Sequence, residues 1–214
     1  MQDIGEKLND FEIFEEKEDF IKVKSKRNSQ FYLLRKYQDL NLHYETIKKV
    51  STTMKNIQRI TNLKYFGLFK EGNITYLIFE YFKGKCIKTE YFKPYHVYHI
   101  SLLIMNIFEK LIENKFKISS KNTFDIYVIG LSEIKINCFD LIINQYNTKG
   151  NELSEMVYSL SLIMSKMDSY DSYIVGFIGD LRKNKYNIET IKTLLNTVKH
   201  KIAKNKKGWI ISPN

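Results

Sequence analysis

The sequence predicts an α+β fold in which a small antiparallel sheet carrying one helix precedes a mainly helical part. From Phe11 to Tyr81 the chain holds short runs of β-branched and aromatic residues, which favour strands. After Tyr81 apolar residues recur at spacings of three and four, the pattern of helices that bury one face. A small β-hairpin interrupts the helical part.

The strands of the first part follow from alternation and from turn residues. Ile21 and Val23 alternate with lysines, and two longer runs cover Phe31 to Tyr37 and Thr75 to Tyr81. Glu71-Gly72-Asn73 supplies the turn before the last run. One helix interrupts the strands, and its apolar face consists of Ile47, Val50, Met54, Ile57 and Ile60.

Three helices and a hairpin are predicted in the second part. The hairpin arms are Asp125 to Ile129 and Ile134 to Phe139. Asn187 is a good N-cap for the last helix, which can end at Gly208. The apolar faces are Val97, Ile100, Leu103, Ile104, Ile107 and Leu111 in the first helix, Val157, Leu160, Met164 and Met167 in the second, and Ile188, Ile191, Leu194, Leu195, Val198 and Ile202 in the last.

Composition limits the class of function. The chain has 214 residues, enough for one domain or two small lobes, and a net charge of +10 from 34 basic and 24 acidic residues. Lysines occur in every segment, which favours solvated surface charge over a nucleic-acid footprint. Cys86 and Cys138 lie far apart, so neither a disulfide framework nor a zinc site is implied.

The sequence offers no targeting or membrane signal. Its opening residues, Met1 to Glu6, are polar and acidic, unlike a signal peptide. The longest apolar runs, Ile100 to Met105 and Tyr173 to Ile178, are too short to span a bilayer. We therefore expect a soluble intracellular protein, cytoplasmic or nuclear.

The order of elements resembles that of eukaryotic Ser/Thr protein kinases from Leu8 to about Val198. Four strings carry the resemblance: Phe31 to Lys36 for Y-A-[LI]-K, Thr75 to Gly84 for the fifth strand and hinge, Lys135 to Leu141 for K-[IL]-x-D-F-G-L, and Val157 to Ser161 for V-[WY]-S-L-G. The resemblance implies a bilobal kinase-like fold. Residues 1–82 would form the small β lobe and residues 83–214 a reduced, mainly helical lobe.

In the kinase family a glycine-rich loop, a lysine and a helix glutamate hold the nucleotide. Here residues 14–21 stand in place of the loop, with no glycine and with four carboxylates. Leu33 and Arg35 occupy the positions of the family's small Ala and catalytic Lys. The helix glutamate falls near Thr53. The resemblance therefore implies that nucleotide binding is lost.

The positions of the catalytic base and of the metal ligands are also altered. Counting from the hairpin places Ser120 on the base of H-R-D, and serine cannot accept the substrate proton at neutral pH. Cys138 replaces the metal-binding Asp of D-F-G, and thiols suit magnesium poorly. Asp140 stands at the Gly of that motif, and Asp125 replaces the metal-binding Asn. The segment from Phe139 to Met156 is too short for an ordinary activation segment.

These losses predict a catalytically inactive kinase-like domain, a pseudokinase, that acts through protein partners as scaffold, allosteric regulator of an active kinase, or subunit of a larger complex. We expect no cofactor and no metal site. A vestigial cleft would be lined by Leu33, Arg35, Phe79, Glu80 and Asp140.

The sequence leaves two alternative functions open. One is a divergent active kinase that uses Arg35, Asp125 and Asp140 in altered roles. The other is a basic module that binds RNA or a membrane surface.

Two further features, a pair of histidines and a basic tail, each have a functional and a structural interpretation. His96 and His99 are three residues apart, but without a further ligand they are expected to be surface or capping residues. The basic tail, residues 199–211, contains five lysines followed by Gly208, Trp209, Ile210 and Ile211. It either ends the last helix and docks its apolar residues on the helical lobe, or forms an exposed anchor for a partner. Its candidate contact residues are Lys204, Lys206, Lys207 and Trp209.

Overall fold

The computed structural model describes residues 7–17, 20–38, 44–87, 92–118, 124–130, 133–144, 152–167, 172–183 and 186–205. The chain divides into two compact units, Met1–Lys83 and Gly84–Asn214. Each unit has its own antiparallel sheet and at least one helix, so the predicted α+β class is confirmed.

Unit 1 is a five-stranded antiparallel sheet with one helix. The sheet order is β1-β2-β3-β5-β4, and a short 3₁₀ turn, Leu8–Asp10, precedes it. The elements are β1 (Phe11–Glu16), β2 (Phe20–Ser25), β3 (Phe31–Gln38), α1 (Tyr44–Thr61), β4 (Tyr65–Glu71) and β5 (Ile74–Glu80).

Each predicted strand of unit 1 is present, with shifts at the ends. The resemblance begins at Leu8, but the first strand begins at Phe11, because Asp10 donates its backbone N–H to the carbonyl of Lys7 and closes the 3₁₀ turn. The predicted turn joins β4 to β5, and Gly72 adopts φ +58°, a conformation that glycine reaches without strain.

One face of the sheet in unit 1 is an aromatic and aliphatic core. Alternation along β3 places Tyr32 and Leu34 on this face, because side chains two apart share a side. Phe69 stacks between Phe11 and Tyr76, with ring centroids 5.9 Å and 4.9 Å apart. The buried members of this core are Phe11, Ile21, Val23, Tyr32, Leu34, Phe69, Tyr76 and Ile78.

The opposite face carries Phe79, whose register partners are Leu33 on β3 and Tyr65 on β4. The Tyr65 and Phe79 rings lie 5.7 Å apart, and the Tyr65 hydroxyl donates to Ser51 Oγ of α1 at 3.2 Å. Burial raises the pKa of Tyr65 to about 12, although the Ser51 hydrogen bond opposes this rise. Tyr65 therefore anchors α1 to the sheet through a neutral hydroxyl.

Unit 2 combines a three-stranded sheet, in the order β6-β7-β8, with five helices among its described residues. Asn187 caps the last helix as predicted, since its Oδ1 accepts the backbone N–H of Thr190 at 2.8 Å. The elements are β6 (Lys85–Cys86), α2 (Pro94–Glu113), β7 (Asp125–Ile129), β8 (Glu133–Asn137), α3 (Phe139–Asn144), α4 (Glu152–Lys166), α5 (Ser172–Arg182) and α6 (Ile188–Asn205).

Helix α2 is the centre of unit 2, where it packs against α4, α6 and β8. Of its predicted face, only Leu103 is not fully buried. Lys192 of α6 forms an ion pair with Glu109 of α2. Among the described helices, none is long and apolar enough to cross a membrane.

One buried hydroxyl in unit 1 predicts a stabilising substitution. Thr75 Oγ1 is buried and has no hydrogen-bond partner in the described part of the chain, whereas the buried Thr61 Oγ1 donates to the carbonyl of Ile57 at 3.2 Å. Thr75→Val removes an unpaired polar atom, and we expect it to raise the free energy of unfolding by about 1 kcal/mol. Chemical denaturation of the variant measures this change.

The matched control is Thr61→Val, which removes a hydroxyl that is hydrogen-bonded. We expect this variant to be no more stable than the wild type. A larger loss of stability in Thr75→Val than in Thr61→Val would contradict the assignment.

Candidate functional site

The third and fifth strands of unit 1 place the predicted cleft residues side by side. Leu33 and Phe79 are register partners, and both are buried. Glu80 ends β5, and its Oε1 accepts the backbone N–H of Lys64, the residue before β4, at 3.1 Å. Glu80 therefore stabilises the sheet where β5 meets the edge strand β4. Leu33 and Phe79 are buried next to it on the neighbouring strands β3 and β5.

Arg35 lies on the same face as Leu33, two residues along β3. Its register partners are Phe20 on β2 and Leu77 on β5, and its guanidinium carbon lies 5.5 Å from the ring centroid of Tyr37. Lys36 is on the other face, as the alternation predicts, and it pairs with Glu16. The guanidinium is thus in cation–π range of an aromatic ring.

The β1–β2 hairpin stands where the resemblance places a glycine-rich loop. β1 extends to Glu16 and β2 begins at Phe20, and the Lys17 N–H donates to the Phe20 carbonyl at 2.9 Å. Both described carboxylates of this segment have partners, since Glu15 lies 3.0 Å from Lys17 Nζ and Glu16 pairs with Lys36. The hairpin is therefore less uniformly acidic than the sequence alone predicted.

Lys22 is a residue at this face that the sequence analysis missed. Its Nζ lies 4.6 Å from the ring centroid of Tyr81 and 5.1 Å from that of Phe31. Because Lys22 is the register partner of Leu33, it stands on the same face as the predicted cleft residues. The signal was present, since alternation on β2 puts Ile21 and Val23 in the core and Lys22 opposite.

Helix α1 holds no glutamate at the position that the resemblance assigns to one. The hydroxyl of Thr53 donates to the carbonyl of Lys49 at 2.9 Å, within its own helix. The sequence of α1 contains one carboxylate, Glu45, two turns earlier in the first turn of the helix. A glutamate in mid-helix is therefore not available to orient Arg35.

In unit 2 the hairpin brings Asp125 and Asn137 together as register partners. Asn137 Nδ2 donates to Asp125 Oδ2 at 3.3 Å, and Asn137 Oδ1 accepts the N–H of Phe139 at 3.1 Å. This second bond ends the hairpin arm at Asn137, whereas the sequence predicted it to reach Phe139. Asn137 was not among the predicted site residues, yet it links the Asp125 carboxylate to the start of α3.

Cys138 connects β8 to α3 and is fully buried. Burial raises the pKa of its thiol well above the usual range, so the sulfur is protonated and neutral at physiological pH. Its carbonyl accepts the N–H of Ile142 at 3.2 Å, and Phe139 is buried beside it. A neutral thiol without solvent access is a poor ligand for a magnesium ion.

Several predicted site residues lie outside the described part of the chain. Ser120, Lys206, Lys207 and Trp209 are among them, as are the side chains of Asp140 and Lys204. His96 and His99 lie near the start of α2, and Tyr95 contacts both imidazole rings. Among the described residues, no group of three or more His, Cys, Asp or Glu side chains could hold a metal ion.

Comparison with solved structures identifies the architecture. No protein-family model and no curated protein matches the chain in sequence. The crystal structure of the PF14_0431 kinase domain resembles it, with a TM-score of 0.51 and 13% sequence identity, over 78% of this chain and 66% of that one. The chain has a protein-kinase-like fold. At this identity the likeness shows the fold alone.

Helix α4 contributes to the core of unit 2. The segment Val157 to Ser161, which carries part of the resemblance, lies in α4, and the neighbouring Met156 is fully buried. Ser161 accepts a hydrogen bond from Arg182 Nε of α5 at 3.4 Å. An apolar side chain at position 156 therefore packs in the core of unit 2.

The burial of Cys138 predicts that the thiols of Cys86 and Cys138 differ greatly in reactivity. We expect one equivalent of a thiol reagent to react with the native protein at Cys86, which is half-buried, and two with the unfolded protein. Absorbance with a disulfide reagent at pH 8 measures both. Cys86→Ser should abolish the native reaction, while Cys138→Ala should leave it unchanged. Rapid reaction of two equivalents in the native state would contradict this assignment.

Proposed function

We propose that this chain is a catalytically inactive protein-kinase-like domain that acts through contacts with other proteins. The observation that carries the proposal is Cys138. The resemblance assigns this position to a metal-binding aspartate, and here it holds a fully buried, neutral thiol. Phosphoryl transfer depends on positioning and on magnesium, so the loss of this ligand removes a central part of the chemistry.

Unit 1 supports the same proposal. A small residue and a lysine would share one face of the third strand in an active kinase, but Leu33 and Arg35 occupy these positions. Leu33 is packed against Phe79, and Lys22 lies over Tyr81 on this face. These side chains occupy space that an adenine ring requires in the family, which opposes nucleotide binding.

The mode of action proposed is binding, as a scaffold, an allosteric regulator or a subunit of a complex. A kinase-like fold without phosphotransfer retains surfaces that can hold partners, although fold alone does not name them. We propose a cytoplasmic or nuclear location, supported by the low cysteine content and by the absence of a disulfide between Cys86 and Cys138.

A thermal-shift assay with magnesium and ATP tests the proposal. A ligand at about a hundred times its dissociation constant adds roughly 2.7 kcal/mol, which raises the melting temperature of a domain of this size by roughly 5 to 10 °C. We expect no such shift and no transfer of labelled phosphate to a general substrate. A shift accompanied by phosphate transfer would establish the alternative, a divergent active kinase.

Restoring the aspartate provides a sharper form of the test. Cys138→Asp places a carboxylate at a fully buried position, so we expect it to lower the free energy of unfolding by about 3 to 5 kcal/mol and to restore no ATP binding. The matched control is Cys138→Ser, which changes polarity without adding a charge and should cost less. A stable Cys138→Asp variant that binds magnesium and ATP would contradict the proposal.

A further inference from the structure

β1 is an edge strand with an exposed apolar pair. It forms one end of the sheet in unit 1, and among the described strands only β2 pairs with it. Ile13 and Phe14 are 48% and 51% exposed. Of the five exposed large apolar side chains in the described chain, two lie on β1, Ile13 and Phe14, and a third, Phe31, lies on β3.

The apolar pair is held in a defined position. The register of β1 shifts between Ile13 and Glu15, which marks a bulge at Phe14. The Phe14 ring meets Phe31 edge to face, with centroids 5.0 Å apart. Phe14 is therefore ordered before any partner binds, so binding costs little side-chain entropy.

The pairing of β1 with β2 indicates which side chains a strand needs in order to pair with β1. Every polar side chain of β1 is a glutamate, and β2 alternates lysine with apolar residues. In the register, Glu12 lies opposite Lys24 and Glu15 opposite Lys22. Opposite charges on facing strands stabilise a pair, and like charges directly opposite destabilise it.

We propose that the free edge of β1 binds an extended segment of a partner protein in which lysine or arginine alternates with apolar residues. Backbone groups on this edge point away from β2, where an added strand can pair with them. Basic side chains of the segment meet Glu12 and Glu15, and their aliphatic stems pack on the Phe14 ring, which lies on the same face. The apolar side chains of the segment cover Ile13 on the opposite face. The inference rests on the proposal that this chain acts through protein contacts.

The same charges select against other occupants. Pairing of β1 with β1 of a second copy would bring glutamates close to glutamates, which is repulsive. A nucleic acid would bring phosphates to the same carboxylates. A bulge and charged residues also protect edges from random pairing, but two adjacent exposed apolar residues do not serve that purpose.

A peptide that copies β2 serves as the probe, because β2 has the alternation of lysine and apolar residues that the proposal requires. It carries the sequence of residues 20–25, F-I-K-V-K-S, with a fluorescent label, and the control peptide has glutamate in place of both lysines. We expect fluorescence anisotropy to show binding of the basic peptide only. Hydrogen exchange should slow at residues 12–16 and stay unchanged at residues 20–25.

Matched substitutions locate the contact. We expect Glu12→Gln with Glu15→Gln, and separately Phe14→Thr, to raise the Kd of the basic peptide about tenfold. Val175→Thr on α5, which alters an apolar residue 56% exposed in unit 2, should leave the Kd unchanged. Thermal denaturation of each variant checks that it is folded.

Three outcomes would overturn the inference. Equal binding of both peptides would show that charge does not select the partner. Absence of binding up to millimolar peptide, or unchanged hydrogen exchange at residues 12–16, would show that the edge of β1 does not bind an extended segment. Self-association that the Glu12→Gln and Glu15→Gln changes strengthen would make the edge a contact between copies. None of these results depends on ATP, so the proposed function is tested separately.

Discussion

The pairing of β3 with β5 is the constraint on which unit 1 depends. Both faces of this pair are buried, with Leu34 and Ile78 on one face and Leu33 and Phe79 on the other. A shift of one residue would exchange the two faces and place Arg35 in the aromatic core. Burying an unpaired guanidinium there would be costly, so the register is strongly specified. This register determines which side chains stand where a kinase holds its nucleotide.

Much of the fold could be predicted because it follows from local periodicity. The alternation of β3, the apolar face of α1 around Met54 and the cap at Asn187 are all local patterns. The short strand β6 could not be predicted, since Lys85–Cys86 carries no periodic signal and is defined by its pairing with β7. Helices α3 and α5 are short, and their apolar runs fit strand or helix equally well.

The candidate site was less predictable, because it depends on contacts between strands. The sequence indicated the residue types at positions 33, 35 and 138, but not that Asn137 would bond the carboxylate of Asp125. It also suggested an acidic hairpin, whereas Glu15 and Glu16 each have a lysine partner. Such pairs bring together residues up to 20 positions apart, and local patterns do not specify them.

The thiol at position 138 relates the stability of unit 2 to the proposed loss of phosphotransfer. A carboxylate at a fully buried position needs a metal ion or several hydrogen-bond donors to offset the cost of desolvation. A neutral thiol needs neither, and it packs as a small apolar group between β8 and α3. The segment that resembles the magnesium-binding motif of kinases therefore contributes to the core of unit 2. The proposed protein contacts depend instead on surface residues, among them the exposed glutamates and apolar residues of β1 in unit 1.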